Sequence, residues 1–198
     1  ESLQQARDAA EKVVVDYDEL PAVVSLADAA SASTLVHDDV PANTCYTWGH
    51  GDRAATEAAF ARAAHVTTLE IVNNRLIPNA IEPRAVNASY TRQDDSYTVY
   101  VSNQNPHVER LLMGAFVLGL PESRLRIIAP DVGGGFGTKL FPYREYALMA
   151  VAARRLKKAI KWTADRAEHF MGDAQGRDNV TVARMALAED GKFLGMDV

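Results

Sequence analysis

Four glycines fall within five positions in Gly133-Gly134-Gly135-Phe136-Gly137, after the apolar stretch Leu125-Arg126-Ile127-Ile128-Ala129 and before a helical pattern that starts near Pro142. Such a run cannot lie inside a helix or strand, so it reads as a loop at a strand-to-helix junction. Without side chains the backbone can approach a ligand closely, and a helix start adds N–H groups that suit an anion. The common nucleotide loops fail on spacing. The dinucleotide fingerprint needs a third glycine where Thr138 stands. The Walker loop needs Gly directly before Lys and a hydroxyl after it, but Thr138 precedes Lys139 and Leu140 follows it. The kinase loop joins two strands. A turn that uses glycines only for close packing stays open at this point.

Around the loop, periodicity gives a mixture of elements. Residues 1–12 read as a short amphipathic helix, Val13 to Val15 with Tyr17 as a strand, and 28–53 as an extended connector rich in Ala, Ser, Asp, Thr and Pro. A helix is expected at 54–64 and a strand over Val66–Val72. Two strands over 84–92 and 97–102 flank the turn Gln93-Asp94-Asp95-Ser96. Asn105 can cap the next helix and Pro106 suits its first position, with Val108, Leu111, Leu112, Ala115 and Phe116 on the inward face. A second long helix is expected at about 142–157, with Leu148, Val151 and Ala152 inward. Ile160–Trp162 reads as a short strand, and strands near 180–187 and 193–198 close the pattern. The expected fold class is α+β, with mixed sheets and packed helices.

Composition narrows the function classes. A net charge of −5 over 198 residues, with no basic face, argues against nucleic-acid binding. The cluster Arg154-Arg155-Leu156-Lys157-Lys158 lies where it complements a helix C-terminus. One cysteine, Cys45, excludes an intrachain disulfide and a cysteine-rich metal site, and fits a cytoplasmic setting. The five histidines show no paired spacing, so no protein-ligated metal is expected. No apolar run reaches membrane-spanning length, and the first residues read as the middle of a helix rather than a signal peptide. The chain is expected to be an excerpt of a longer protein.

Ile128 to Lys139 resembles the G-G-G-F-G-x-K loop of the xanthine oxidase family, the molybdenum hydroxylases. Three further segments match in order. Ser102-Asn103-Gln104-Asn105-Pro106-His107 resembles T-Q-x-P-H, Ile81-Glu82-Pro83-Arg84 resembles M-E-P-R, and Lys161 to Glu168 resembles W-x-x-D-R-x-E. The matches span about half of the chain, and the wording is nearest the large-subunit branch of aerobic carbon monoxide dehydrogenase. The resemblance implies that 1–27 is the end of an α/β hammerhead domain, 28–53 a linker, and 54–198 the first, incomplete part of the molybdopterin-binding domain.

It also implies roles for single residues. Gly133, Gly134 and Gly135 would lie against the molybdopterin, which in this branch is the cytosine dinucleotide. Phe136 and Gly137 would sit at its metal end, where an aromatic ring excludes water. Gln104 would donate a hydrogen bond to a molybdenum oxo ligand. Lys139 would either neutralise phosphate or remain solvated at the helix entry. Glu82 and Arg84 would form a structural pair or be separate surface charges, with the structural reading favoured. Asp165, Arg166 and Glu168 would tie the last strands to the core. FAD and [2Fe-2S] clusters would be on a medium and a small partner subunit, in a dimer of heterotrimers. The family's catalytic glutamate falls in a later segment, so the chain alone is expected to be inactive. Leu140 stands where xanthine dehydrogenases carry a glutamate, which disfavours purines. The competing reading is a non-catalytic nucleotide-binding or interaction module that retains the loop.

Overall fold

Ser2 opens the first helix, α1 (Leu3–Ala10), by a reciprocal capping box with Gln5. The structure, a computed structural model, describes residues 2–198. Val13 to Val15 with Tyr17 does not form the expected strand. Val14 is 91% exposed and its neighbours find no ladder, and β-branched residues make a strand only where a partner strand is available. A short helix α2 (Leu26–Ala29) and a 3₁₀ turn at Pro41–Asn43 interrupt the connector. Asn43 braces this stretch by donating from Nδ2 to the carbonyls of Ala29 and Thr34. Helix α3 (Arg53–Ala61) begins at Asp52, whose carboxylate accepts from the Ala55 N–H, and buries Ala59. Strand β1 (His65–Asn73) follows.

The chain divides into two units, Glu1–Leu69 with Val182–Val198, and Glu70–Thr181. The second unit is built on a hairpin. Strands β2 (Ala85–Thr91) and β3 (Ser96–Val101) pair antiparallel, with Val86 opposite Val101, Ala88 opposite Val99 and Tyr90 opposite Tyr97. Alternation sends Val86, Ala88, Tyr97, Val99 and Val101 into the core and leaves Asn87 and Ser89 outside it. Helix α4 (Pro106–Leu112) runs into a π-helical turn, Met113–Leu118, and stops at Gly119, whose φ of 63° is the left-handed stop of a helix end. Strand β4 (Leu125–Ile128) then lies parallel to β3. Helix α5 (Arg144–Leu156) crosses back, and β5 (Ile160–Thr163) pairs antiparallel with β2. The sheet order is β4-β3-β2-β5. A further helix, α6 (Arg166–Gly172), was not anticipated, although Asp165 and Glu168 form the capping box that starts it. Strands β6 (Asn179–Leu187) and β7 (Phe193–Asp197) are antiparallel and join β1 in a sheet of order β1-β6-β7. The α+β class is therefore observed.

Both long helices turn different faces inward from those expected. On α4 and its π turn the buried residues are Glu109, Met113 and Gly114, while Val108, Leu111 and Phe116 are exposed. On α5 they are Tyr146, Ala150 and Ala153, while Leu148 is exposed. In each case small or polar-tipped residues allow close packing on β2–β4, and the longer aliphatic chains lie outside that contact.

Candidate functional site

The glycine loop does not run directly into a helix. After β4 the chain passes through Gly133–Gly137 into a 3₁₀ turn, Thr138–Leu140, and α5 begins only at Arg144. The expected helix-terminus donors are thus replaced by the N–H groups of the loop itself. Among the described residues, the N–H groups of Gly134, Gly135 and Phe136 make no hydrogen bond within the protein. Consecutive N–H donors around left-handed residues make a concavity suited to anionic or oxo groups.

Left-handed backbone occurs at Gly134 (φ 98°), Phe136 (φ 51°) and Gly137 (φ 88°). Phe136 accepts this without the freedom of glycine, and its ring is 72% exposed. It is therefore not part of the hydrophobic core. Strain of this kind persists only where surrounding contacts over-determine the backbone. Two glycines are required by close approach instead. A Cβ at Gly133 would stand 2.5 Å from the Glu82 Cβ, and one at Gly135 would overlap the Gln104 side chain.

Gln104 lies across the loop. Its Oε1 accepts from the Gly137 N–H at 3.0 Å and from the Lys139 N–H at 3.2 Å, while its own N–H donates to the Lys139 carbonyl. Two backbone donors fix which end of the amide is oxygen. The Nε2 group, with two N–H donors and no partner among the described residues, is left as the outward end. The residue before it is held as well. Asn103 Oδ1 accepts from the Asn105 N–H, and its Nδ2 donates to Glu109 Oε2 at 3.2 Å. The helix start is thus braced by Asn103, since the Asn105 side chain makes no capping bond. Burial raises the Glu109 carboxyl to about 7.

Lys139 is not solvated. It is 0% exposed, and its ammonium donates to the Glu82 carbonyl at 2.7 Å and to Glu82 Oε2 at 2.9 Å. The same Oε2 accepts from the Gly133 N–H at 2.7 Å and from the Ser102 hydroxyl at 2.8 Å. Burial alone would push the Glu82 carboxyl up; the Lys139, Gly133 and Ser102 donors outweigh it and hold it below the ordinary glutamate range. Glu82 and Arg84 therefore do not pair with each other. Arg84, 1% exposed, bonds Asp173 at 2.6 Å and Glu145 at 3.0 Å, with its guanidinium 3.7 Å from the centre of the Tyr143 ring. Asp173 also holds His169 Nδ1 at 2.6 Å, and the other ring nitrogen faces the Pro78 carbonyl at 3.0 Å.

The end of the loop is secured by Thr138, whose hydroxyl donates to the Ala174 carbonyl at 2.8 Å. Tyr143 spans the same point, donating to the Thr138 carbonyl and accepting from the Ala174 N–H. Arg166 binds Asn79 Oδ1 and the carbonyls of Ala80 and Ile81, so it pins the segment before Glu82 rather than the last strands. Ser102, Asn103, Thr138, Tyr143, His169 and Asp173 were not singled out from sequence. Only the Asp165-x-x-Glu168 pattern was a readable signal among these contacts. The assembled surface offers N–H donors and one amide. Among the described residues no cluster of three or more His, Cys, Asp or Glu is placed to hold a metal ion.

Comparison with known proteins matches residues 36–198 to the family described as the molybdopterin cofactor-binding domain. The chain is 36% identical to the carbon monoxide dehydrogenase large chain of Hydrogenophaga pseudoflava, over 98% of this chain and 26% of that protein. It is 29% identical to the nicotine 6-hydroxylase large subunit of Paenarthrobacter nicotinovorans, over 99% of this chain and 24% of that subunit. A crystal structure of the Cu,Mo-CO dehydrogenase superposes with a TM-score of 0.87 at 32% identity, covering 98% of this chain and 26% of that one. The chain thus spans about a quarter of the relatives it matches.

Proposed function

Because the chain belongs to the molybdopterin cofactor-binding domain family, we propose that its glycine loop and Gln104 form one wall of a molybdenum–pyranopterin site in the large subunit of a hydroxylase of the carbon monoxide dehydrogenase or aldehyde oxidase type. The residues present fit that group. Gly133 and Gly135 let the loop backbone lie directly on Glu82 and Gln104, the N–H groups of Gly134, Gly135 and Phe136 are unpaired among the described residues, and Gln104 turns an uncharged donor outward. The outward Nε2 of Gln104 is the observation that carries the proposal.

When bound, the cofactor supplies a metal centre that takes two electrons from the substrate, with water as the source of oxygen. This chain binds and orients. The loop N–H groups and Gln104 Nε2 donate to oxo or pterin acceptors without adding charge. Preorganised donors of this kind need no rearrangement during reaction. Phe136 shields that end from water. Lys139 is assigned to holding the loop rather than to meeting phosphate, because its ammonium already donates to Glu82. The cofactor form is proposed to be the cytosine dinucleotide. Electrons would pass to [2Fe-2S] clusters and FAD on small and medium partner subunits, in a cytoplasmic dimer of heterotrimers. The catalytic base is assigned to another segment of the large subunit.

The test is purification of the complete large subunit with its partner subunits, followed by molybdenum analysis and dye reduction with carbon monoxide, aldehydes and N-heterocycles. Molybdenum near one per large subunit is expected. Gln104→Ala is expected to retain the metal and lose about 10–100-fold in turnover, as for loss of an outer-shell contact. The 198-residue chain alone is expected to hold no stoichiometric molybdenum. A complete subunit free of molybdenum, or a Gln104→Ala enzyme of unchanged rate, would overturn the proposal.

A further inference from the structure

We infer that Glu82 and Lys139 are positioning residues for the outward donor of Gln104: together they close the glycine loop like a clasp, and the closed loop fixes the orientation of the amide. The inference rests on the reading of this surface as a cofactor wall and extends it to the residues that keep the wall in register.

Both ends of the loop meet at one oxygen. Glu82 Oε2 accepts from Gly133 at the start of the loop and from the Lys139 side chain at its end. Ser102, two residues before Gln104, donates to the same atom. The Glu82 backbone takes part too, since its N–H donates to the Gly133 carbonyl at 3.3 Å and its carbonyl accepts from Lys139. Between these ends the loop carries the Gly137 and Lys139 N–H groups, and both donate to Gln104 Oε1. If the ends separate, Oε1 loses the two donors that define it, and the amide is free to rotate and present oxygen instead of Nε2. An acceptor at that place would repel an oxo group that a donor attracts. Lys139 serves this role because a buried ammonium has three donors to direct at a small target, and two already converge on Glu82.

The readout is ¹H–¹⁵N NMR of the 198-residue chain, with the Gln104 side-chain NH₂ and the Gly133 and Gly137 amides as reporters and Ala88, Val99 and Ala150 as internal controls. Lys139→Met is expected to shift the Gln104 and loop signals, to raise the mobility of the NH₂ group, and to speed exchange of the Gly137 amide by about tenfold through local opening, with the control residues unchanged. Glu82→Gln keeps an acceptor of the same shape and is expected to give the same changes in weaker form, should Lys139→Met fail to fold. In the complete subunit the two single variants are expected to alter the molybdenum electron paramagnetic resonance signal. Unchanged Gln104 and Gly137 signals in Lys139→Met and Glu82→Gln would overturn the inference, and so would changes that spread equally through the controls. The NMR result does not depend on the cofactor, so a metal-free complete subunit would count against the proposed function and leave this inference standing.

Discussion

Glu82 and Arg84 are two residues apart, yet they belong to ionic clusters of opposite character. The Glu82 cluster is small and half open: one carboxylate oxygen draws in a lysine, a serine and a glycine N–H, and every bond ends on the loop or beside Gln104. The Arg84 cluster is closed. Arg84 and Asp173 are buried, Glu145 completes the pair, His169 bonds the far side of Asp173, and Tyr143 stacks on the guanidinium. The extended segment thus carries one residue that shapes the site and another that anchors the segment to α5 and α6. The difference teaches that a buried charge is not evidence of chemistry by itself; what matters is whether its bonds end at the functional surface.

Arg84→Met should show the largest effect. It leaves Asp173 and Glu145 without their cation, and breaking a buried pair from one side costs about 3–5 kcal/mol. Denaturant unfolding should show this as a collapse of unit stability, with the loop lost as a consequence. If Lys139→Met were equally damaging, the contrast between anchor and shaper would be gone.

Glu109 sharpens the contrast because it is a buried acid, 3% exposed, that forms no ion pair among the described residues. Its carboxyl is raised to about 7 from an ordinary 4.5. The folded protein therefore keeps a proton that the unfolded chain releases, and stability falls as pH rises between those values. Glu109→Gln keeps an oxygen for Asn103 and removes that penalty. It should stabilise the chain by up to about 3 kcal/mol above pH 7 and leave it unchanged below pH 4. Thermal unfolding at pH 4, 6 and 8 measures the crossover, and a pH-independent effect would show that Glu109 is compensated after all.

Gly135→Ala should be smaller in stability and more local. Its Cβ overlaps Gln104, and overpacking of this kind costs about 1–3 kcal/mol. The expected signature is displacement of Gln104 signals in NMR with the β2–β3 core intact.

Much of this was readable in the sequence because it is local. The β2–β3 hairpin follows from alternation across a polar turn, and Gly133 to Gly137 cannot be anything but a loop. The position of Gln104 was legible only through its resemblance to a known segment. What escaped was set by contacts far apart in the chain. Lys139 reads as a phosphate partner or a solvated cation until Glu82, fifty-seven positions away, is placed beside it. The inward face of α4 is hidden from sequence reading because Glu109 is polar, and its burial shows only once the Asn103 amide is placed against its carboxyl. Val13–Val15 has the composition of a strand without a neighbour to pair with. Helix α6 has its Asp165–Glu168 capping box in the sequence, but at seven residues it carries too little apolar periodicity to stand out.

The bond between Arg84 and Asp173 closes a loop of eighty-nine residues. During synthesis the glycine loop therefore emerges well before the acid that anchors the segment beneath it. Closing so long a loop is slow relative to hairpin formation. The β2–β3 hairpin can form early, but the platform for Glu82 and Lys139 must wait for α6. The nascent chain thus holds the glycine loop on an unfinished platform until Asp173 has been made, which sets a timing constraint on anything that must bind to the loop.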